Sequence, residues 1–265
     1  MKYCSLTSGS SGNSQFIASK EARILLDAGV TGKYIKESME AIGEKPENLD
    51  GILVTHEHSD HIKGVGVLMR RYDLPLYVHE DTWKGMHAQI GKINLEKVNF
   101  IGGDNPFEIK DISIHPFHVD HDAANPLGFS FKNEGVTISV ATDLGHMPES
   151  IVRVLENSDL LMLEANHDVE MLKVGRYPWF LKQRILGDSG HLSNESAGNA
   201  LVKMFERGSP GCVLLGHLSH ENNFPELALE TVRGILEENG LRDGRDLDLD
   251  MTYRNRVGRL YNITK

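Results

Sequence analysis

Short apolar runs alternate along this chain with segments whose apolar residues recur at i, i+3 and i+4. The runs at 22–27 (ARILLD), 51–54 (GILV), 75–78, 111–119 (DISIHPFHV), 127–132, 136–141 (VTISVA), 159–163 (DLLML) and 211–215 (GCVLL) predict strands. They are β-branched or leucine-rich and end at Gly, Asp or Asn. The spacing predicts helices over 31–42, 62–72, 80–90, 148–157, 194–207 and 225–239, several of them with Ser, Thr, Asp or Pro near the start. The pattern is that of a mixed α/β protein. No stretch is long or biased enough to be a linker, and the Ser/Gly-rich segment 8–14 lies between two strand-like runs, so 1–265 reads as one domain.

Composition narrows the classes. With 40% hydrophobic and 25% charged residues in 265, the chain is globular and long enough to bury roughly 75% of its unfolded surface. Disorder, collagen and coiled coil are excluded. The net charge, 28 cations minus 38 anions or −10, disfavours a sequence-independent polyanion binder. It is compatible with a metal enzyme, whose carboxylates are neutralised by cations. No run of 18 apolar residues predicts a membrane span, and the first residues, MKYCSLTSGSSGNSQF, lack a signal-peptide core. Two cysteines, Cys4 and Cys212, in apolar contexts suggest a reduced compartment, so a cytoplasmic location is expected.

The 13 histidines carry the chemistry. GILVT runs directly into His56-Glu57-His58-Ser59-Asp60-His61, with a helical pattern beginning at Ile62. A tight loop leaving a buried strand directs His56 and His58 to one point and Asp60 and His61 to a neighbouring one, an arrangement suited to two cations. Imidazole with carboxylate suits Zn, Mn or Fe, and no CxxC pair points to a closed structural zinc site. Other strand ends must complete the coordination. His121 follows one apolar run, Asp143 ends another and His217 a third. His115, His118 and His121 are each three apart, and His121 lies nearest the strand exit, before Asp122 and a Pro-containing turn.

With His56, His58, Asp60 and His61 in place, the chain resembles the metallo-β-lactamase fold superfamily, whose His-x-His-x-Asp-His signature it matches in full. LLDAG at 25–29 and the order His121, Asp143, His217 extend the resemblance through the chain. It implies a four-layer αββα sandwich. It also implies that His56, His58 and His121 bind one divalent metal, that Asp60, His61 and His217 bind the other, and that Asp143 bridges them. Asp27 would orient a ligand by hydrogen bonding. LEANHD at 163–168, KVGRYPWFLKQRILGDSGHLSN at 173–194 and LLGHLSHENN at 214–223 look like the YycJ (WalJ) subgroup. That resemblance implies a bacterial cytoplasmic 5′-to-3′ DNA exonuclease, related to the phosphodiesterases that include ribonuclease Z. A 265-residue chain leaves no room for the β-CASP domain of larger superfamily nucleases.

Two cations about 3.5–4 Å apart can hold a shared hydroxide and neutralise charge on a phosphoryl group in in-line displacement. The leaving oxygen still needs a proton. GHLSN at 190–194 resembles the loop whose histidine assists cleavage in those phosphodiesterases, so His191 is the candidate general acid and, with Asp60, the expected catalytic pair. Ser11 and Asn13, with Ser8 and Ser10, form a loop that is either a phosphate cradle or a plain turn. Asn166 and His167 follow a strand and fit either substrate contact or a buried hydrogen-bonding role. Segment 168–192 is cationic and aromatic; Tyr177, Trp179, Lys182 and Arg184 suit stacking on bases and binding phosphates, or an amphipathic helical hairpin with solvated basic faces. Arg254, Arg256 and Arg259 read as the solvent face of a last strand. The leading expectation is therefore a metal phosphodiesterase acting on DNA ends. Alternatives are a small-molecule ester, thioester or cyclic phosphodiester hydrolase, favoured by the −10 charge, and a non-catalytic regulatory protein that keeps its metal for stability.

Overall fold

A computed structural model describes residues Met1–Lys265. The chain forms two compact units, Met1–His118 with Ala123–Val136 and Tyr253–Lys265, and Val119–Asp122 with Thr137–Thr252. Neither is contiguous in sequence, which is why no linker composition marks a boundary.

The first unit opens with β1 (Lys2–Thr7), β2 (Ser14–Ala18) and β3 (Arg23–Leu26), an antiparallel set. Then β4 (Gly51–Leu53), β5 (Leu76–His79) and β6 (Val98–Ile101) continue from β3 in parallel. A C-terminal strand, Tyr261–Asn262, pairs with β1 and completes a seven-stranded sheet. Parallel neighbours require crossovers. Helix α1 (Gly32–Ala41) links β3 to β4, α2 (Ser59–Ile62) and α3 (Val65–Tyr72) link β4 to β5, and α4 (Glu80–Met86) links β5 to β6. Ile35, Met39, Val65, Leu68 and Met86 from these helices pack with Leu25, Ile52 and Leu76 in the buried core. The same unit holds an antiparallel meander of β7 (Phe107–Ile109), β8 (Ile112–His118) and β9 (Leu127–Asn133).

The second unit is a parallel array of β10 (Val136–Ala141), β11 (Leu160–Glu164), β12 (Cys212–Gly216) and β13 (Asp248–Met251). Its central strand β11 is buried throughout, as a strand covered on both faces requires. The crossovers are α5 (Glu149–Leu155), then α6 (Val169–Val174), α7 (Trp179–Leu186) and α8 (Asn194–Phe205), then α9 (Pro225–Glu238). Register aligns Ala141, Leu163 and Leu215 across the array. The residues that follow each of them therefore emerge along a single sheet edge.

Most expected elements lie within two residues of their observed bounds. The helix expected over 62–72 differs. It starts earlier, at Ser59, and breaks at Lys63–Gly64 before α3. Gly64 donates to the Ala28 carbonyl at 2.7 Å, and a Cβ there would come 2.5 Å from the Val30 oxygen. That close approach to the loop after β3 interrupts the helix. Cys4 is buried, its thiol pushed up to about 12 by burial, and it packs as a small apolar side chain. No helix is long and apolar enough to cross a membrane.

Candidate metal and catalytic centre

In the first unit the site begins at Asp27, the residue after β3. It is buried and left-handed, with φ 59°. Its Oδ1 accepts the Thr55 backbone N–H at 2.9 Å, and its Oδ2 accepts the Thr55 hydroxyl at 2.9 Å and His61 Nδ1 at 2.7 Å. Thr55 thus donates its one hydroxyl proton to Asp27. Toward His56 Nδ1, 3.0 Å away, its oxygen accepts, so that nitrogen carries the proton. Both rings then present Nε2 as the lone-pair nitrogen, the form a metal ligand needs. Asn13 Nδ2 is aimed at His61 Nε2 at 3.0 Å and at Asp60 Oδ2 at 3.4 Å. The rings of His58 and His61 lie 4.6 and 4.1 Å from that of His56.

The sequence places Asp60 and His61 on a loop; the structure places them on the single turn of α2, with His58 at its N-cap. That turn is tied down by backbone bonds, Asn13 N–H to the Asp60 carbonyl and Ala28 N–H to the His61 carbonyl, each 2.8 Å. Gly29 makes the approach possible, since a Cβ there would lie 1.5 Å from the Asp60 oxygen.

In the second unit, Asp143, Glu164 and His217 stand at the carboxyl ends of β10, β11 and β12, where open parallel sheets bind ligands. Asp143, Glu164, His191 and His217 offer ligand atoms that all lie within 4.8 Å of one another. His217 Nδ1 and His191 Nδ1 each donate to Glu164 Oε1 at 2.8 Å, and Glu164 Oε2 accepts the Leu144 N–H at 2.9 Å. Burial opposes ionisation of Glu164, but His191 and His217 hold its carboxyl down to about 2. His191 is raised above its usual range: burial opposes the charged ring, and Glu164 more than offsets it. His121 Nδ1 lies 3.1 Å from the Gly190 carbonyl, which can only accept. Its Nε2 is therefore also the lone-pair nitrogen, and burial lowers its pKa and keeps the ring neutral. Asp143 and His217 share the left-handed backbone of Asp27, with φ 57° and 56°. Such positions cost about 1–3 kcal/mol each and persist where the surroundings fix them.

Glu164 is the residue the sequence reading missed. Its signal is an acid closing the apolar run LLMLE, two and three positions before the more conspicuous Asn166 and His167. Asn166 is buried and donates to the His217 carbonyl at 2.8 Å, while both ring nitrogens of His167 are buried without a hydrogen-bond partner. Burial pushes the His167 pKa down to about 4. Of the other two histidines three apart, His115 stays in β8, 3.1 Å from Ser113 Oγ, and His118 is exposed 3.6 Å from Asp104. Ser11 is exposed, with Arg254 3.4 Å from its hydroxyl. Tyr177 is half-buried, Lys182 is buried with its ammonium on the Lys173 carbonyl at 2.7 Å, and Arg184 pairs with Asp122. These ligand sets, neutral imidazole nitrogens with carboxylates, are fit to hold divalent metal ions.

A beta-lactamase superfamily domain matches residues 22–217. Over 247 residues the chain is 42% identical to exodeoxyribonuclease WalJ of Streptococcus pneumoniae serotype 2 (strain D39), covering 92% of this chain and 91% of that protein. It is 40% identical to exodeoxyribonuclease YycJ of Bacillus anthracis, covering 93% of each. The metallo-beta-lactamase fold protein YhfI of Bacillus subtilis superposes with a TM-score of 0.74 at 17% identity, over 98% of this chain and 99% of that one. The expected fold class, α/β of the metallo-β-lactamase type, is the one these matches show.

Proposed function

Because the chain belongs to the beta-lactamase superfamily, and within it to the group that includes WalJ and YycJ, we propose that it is a dinuclear metal-dependent DNA exonuclease working 5′ to 3′ in the cytoplasm. In this reading His56, His58, Asp60, His61, His121, Asp143 and His217 would hold the two ions, Zn or Mn, as the resemblance implies. One observation carries it. His56, His61, His121 and His217 each have Nδ1 committed to a protein oxygen, so all four offer Nε2 in the neutral, ligating form. A histidine cluster kept only for packing has no need of that common tautomer.

When bound, such ions supply an activated water and neutralise charge on the reacting phosphodiester. The chain's own residues do the rest. Thr55 and Asp27 fix the ring planes of His56 and His61. Glu164 fixes His191 through Nδ1 and favours its protonated form, leaving Nε2–H to donate to the departing sugar oxygen. The left-handed Asp143 and His217 turn their side chains out of the strand direction at the sheet edge.

The test is elemental analysis of the purified protein together with digestion of end-labelled DNA in Mn or Zn. Two metals per chain, shortening of the DNA from its 5′ end, and abolition by Asp60→Ala or His61→Ala in a folded protein are expected. No more than one metal at saturation would overturn the dinuclear assignment. Hydrolysis of thioesters or lactones with inert DNA would favour the small-molecule alternative that the −10 charge allows.

A further inference from the structure

Helix α7 leads directly into the catalytic loop of the second unit. The His191 N–H bonds to the Ile185 carbonyl at 3.0 Å, Gly190 N–H bonds to Gly187 at 2.8 Å, and the Gly190 carbonyl receives His121. The opposite end of this helix carries two large aromatic side chains in the open, Trp179 at 66% and Phe180 at 73% exposure. Both are apolar surface that folding has not covered, although aromatics at such spacing ordinarily pack inward. Val174, 84% exposed, and the exposed Arg176 lie on the adjoining turn.

Chemistry selects the occupant. Lys173 pairs with Glu170, Arg184 with Asp122, and the Lys182 ammonium is buried on the Lys173 carbonyl, which leaves Arg176 as the exposed cation beside the two rings. A nucleic-acid strand offers flat base faces to the rings and phosphates to Arg176. Seven residues separate Trp179 from Leu186, about 10 Å of helix, or roughly three stacked nucleotides from the catalytic loop.

We propose that Trp179 and Phe180 form a stacking platform for unpaired bases of the DNA strand whose scissile phosphodiester lies at the metal centre, with Arg176 on the strand's backbone beside them. The inference rests on the nuclease reading above and names where that substrate is gripped. Base stacking on an aromatic side chain is sequence-tolerant, because every base has a π-face, as an exonuclease requires.

The test compares the metal-loaded enzyme with its Trp179→Ala/Phe180→Ala variant on a fluorescein-labelled single-stranded oligonucleotide and on bis(p-nitrophenyl) phosphate. Binding is read by anisotropy and mass by light scattering. The double variant should bind the oligonucleotide roughly 10- to 100-fold more weakly. Its loss in kcat/KM on the oligonucleotide should exceed its loss on the small ester at least tenfold. Trp179→Phe, which keeps a π-face, should recover most of the binding. Equal affinity of variant and wild type, equal losses on both substrates, or a change from dimer to monomer in the variant would overturn the platform, the last showing a subunit contact instead. A wild-type protein that binds the oligonucleotide through these residues but never cuts it would sink the nuclease reading and leave the platform standing.

Discussion

Glu164 Oε1 receives hydrogen bonds from His191 Nδ1 and His217 Nδ1, each at 2.8 Å, so one carboxylate oxygen sets the tautomer of both the candidate acid and a candidate metal ligand. A carboxylate can only accept, whereas an amide at the same place would offer a donor to one ring and reverse its tautomer. Glu164→Gln should therefore weaken metal binding 10- to 100-fold, as loss of a ligand-orienting partner does. Turnover should fall as well, by at least 10²-fold if the acid is also misaligned. Titration against a chromophoric chelator reads the first effect, and unchanged metal affinity would show that Glu164 acts on His191 alone.

His191→Ala should retain metal, because the other imidazoles keep their own partners. It should lose about 10²- to 10⁴-fold in turnover on DNA, whose alkoxide leaving group needs protonation. The loss should be far smaller on a nitrophenyl phosphodiester. Equal losses on both substrates, or metal released from the variant, would mean that the proton comes from elsewhere.

Two glycines make a contrasting pair. Gly29→Ala would set a Cβ 1.5 Å from the Asp60 carbonyl and 2.6 Å from the Asn13 nitrogen, in the path of their 2.8 Å hydrogen bond. We expect a loss of more than about 3 kcal/mol, or a displaced α2 and lost metal. Gly234, within α9, has nothing within 4 Å of an added Cβ. Gly234→Ala should be neutral or stabilising by up to about 1 kcal/mol, the helix-propensity gain. Urea titration distinguishes them, and a wild-type midpoint for Gly29→Ala would refute the packing argument.

Burial holds His167 down at about 4 in the folded chain, against about 6.5 when unfolded. Below the unfolded value the unfolded chain takes up a proton that the folded one refuses, so stability present above pH 6.5 is lost as the pH falls toward 4. The loss amounts to about 3 kcal/mol from this residue. His167→Gln should have a flatter stability profile between those limits. Identical slopes for wild type and variant, measured by urea unfolding in steps of pH, would remove His167 as the cause.

The candidate chemistry of this protein stands out in its sequence. His56, His58, Asp60 and His61 crowd one strand exit, and His121, Asp143 and His217 follow other apolar runs, because the alternation of strand and helix locates the strand ends at which these polar side chains gather. The α/β alternation was legible for the same local reason: burial on both faces demands continuous apolar runs. What the sequence could not contain is which side chains meet. The register that levels Ala141, Leu163 and Leu215 brings Glu164 between His191 and His217, partners 27 and 53 residues away. The same holds for the break at Gly64, fixed by its contact with Ala28 and Val30, and for the exposure of Trp179 and Phe180. A hydrogen bond or an exposed ring depends on distances set by the packing of distant segments, and periodicity along the chain carries only which face a residue occupies, not what it will find there.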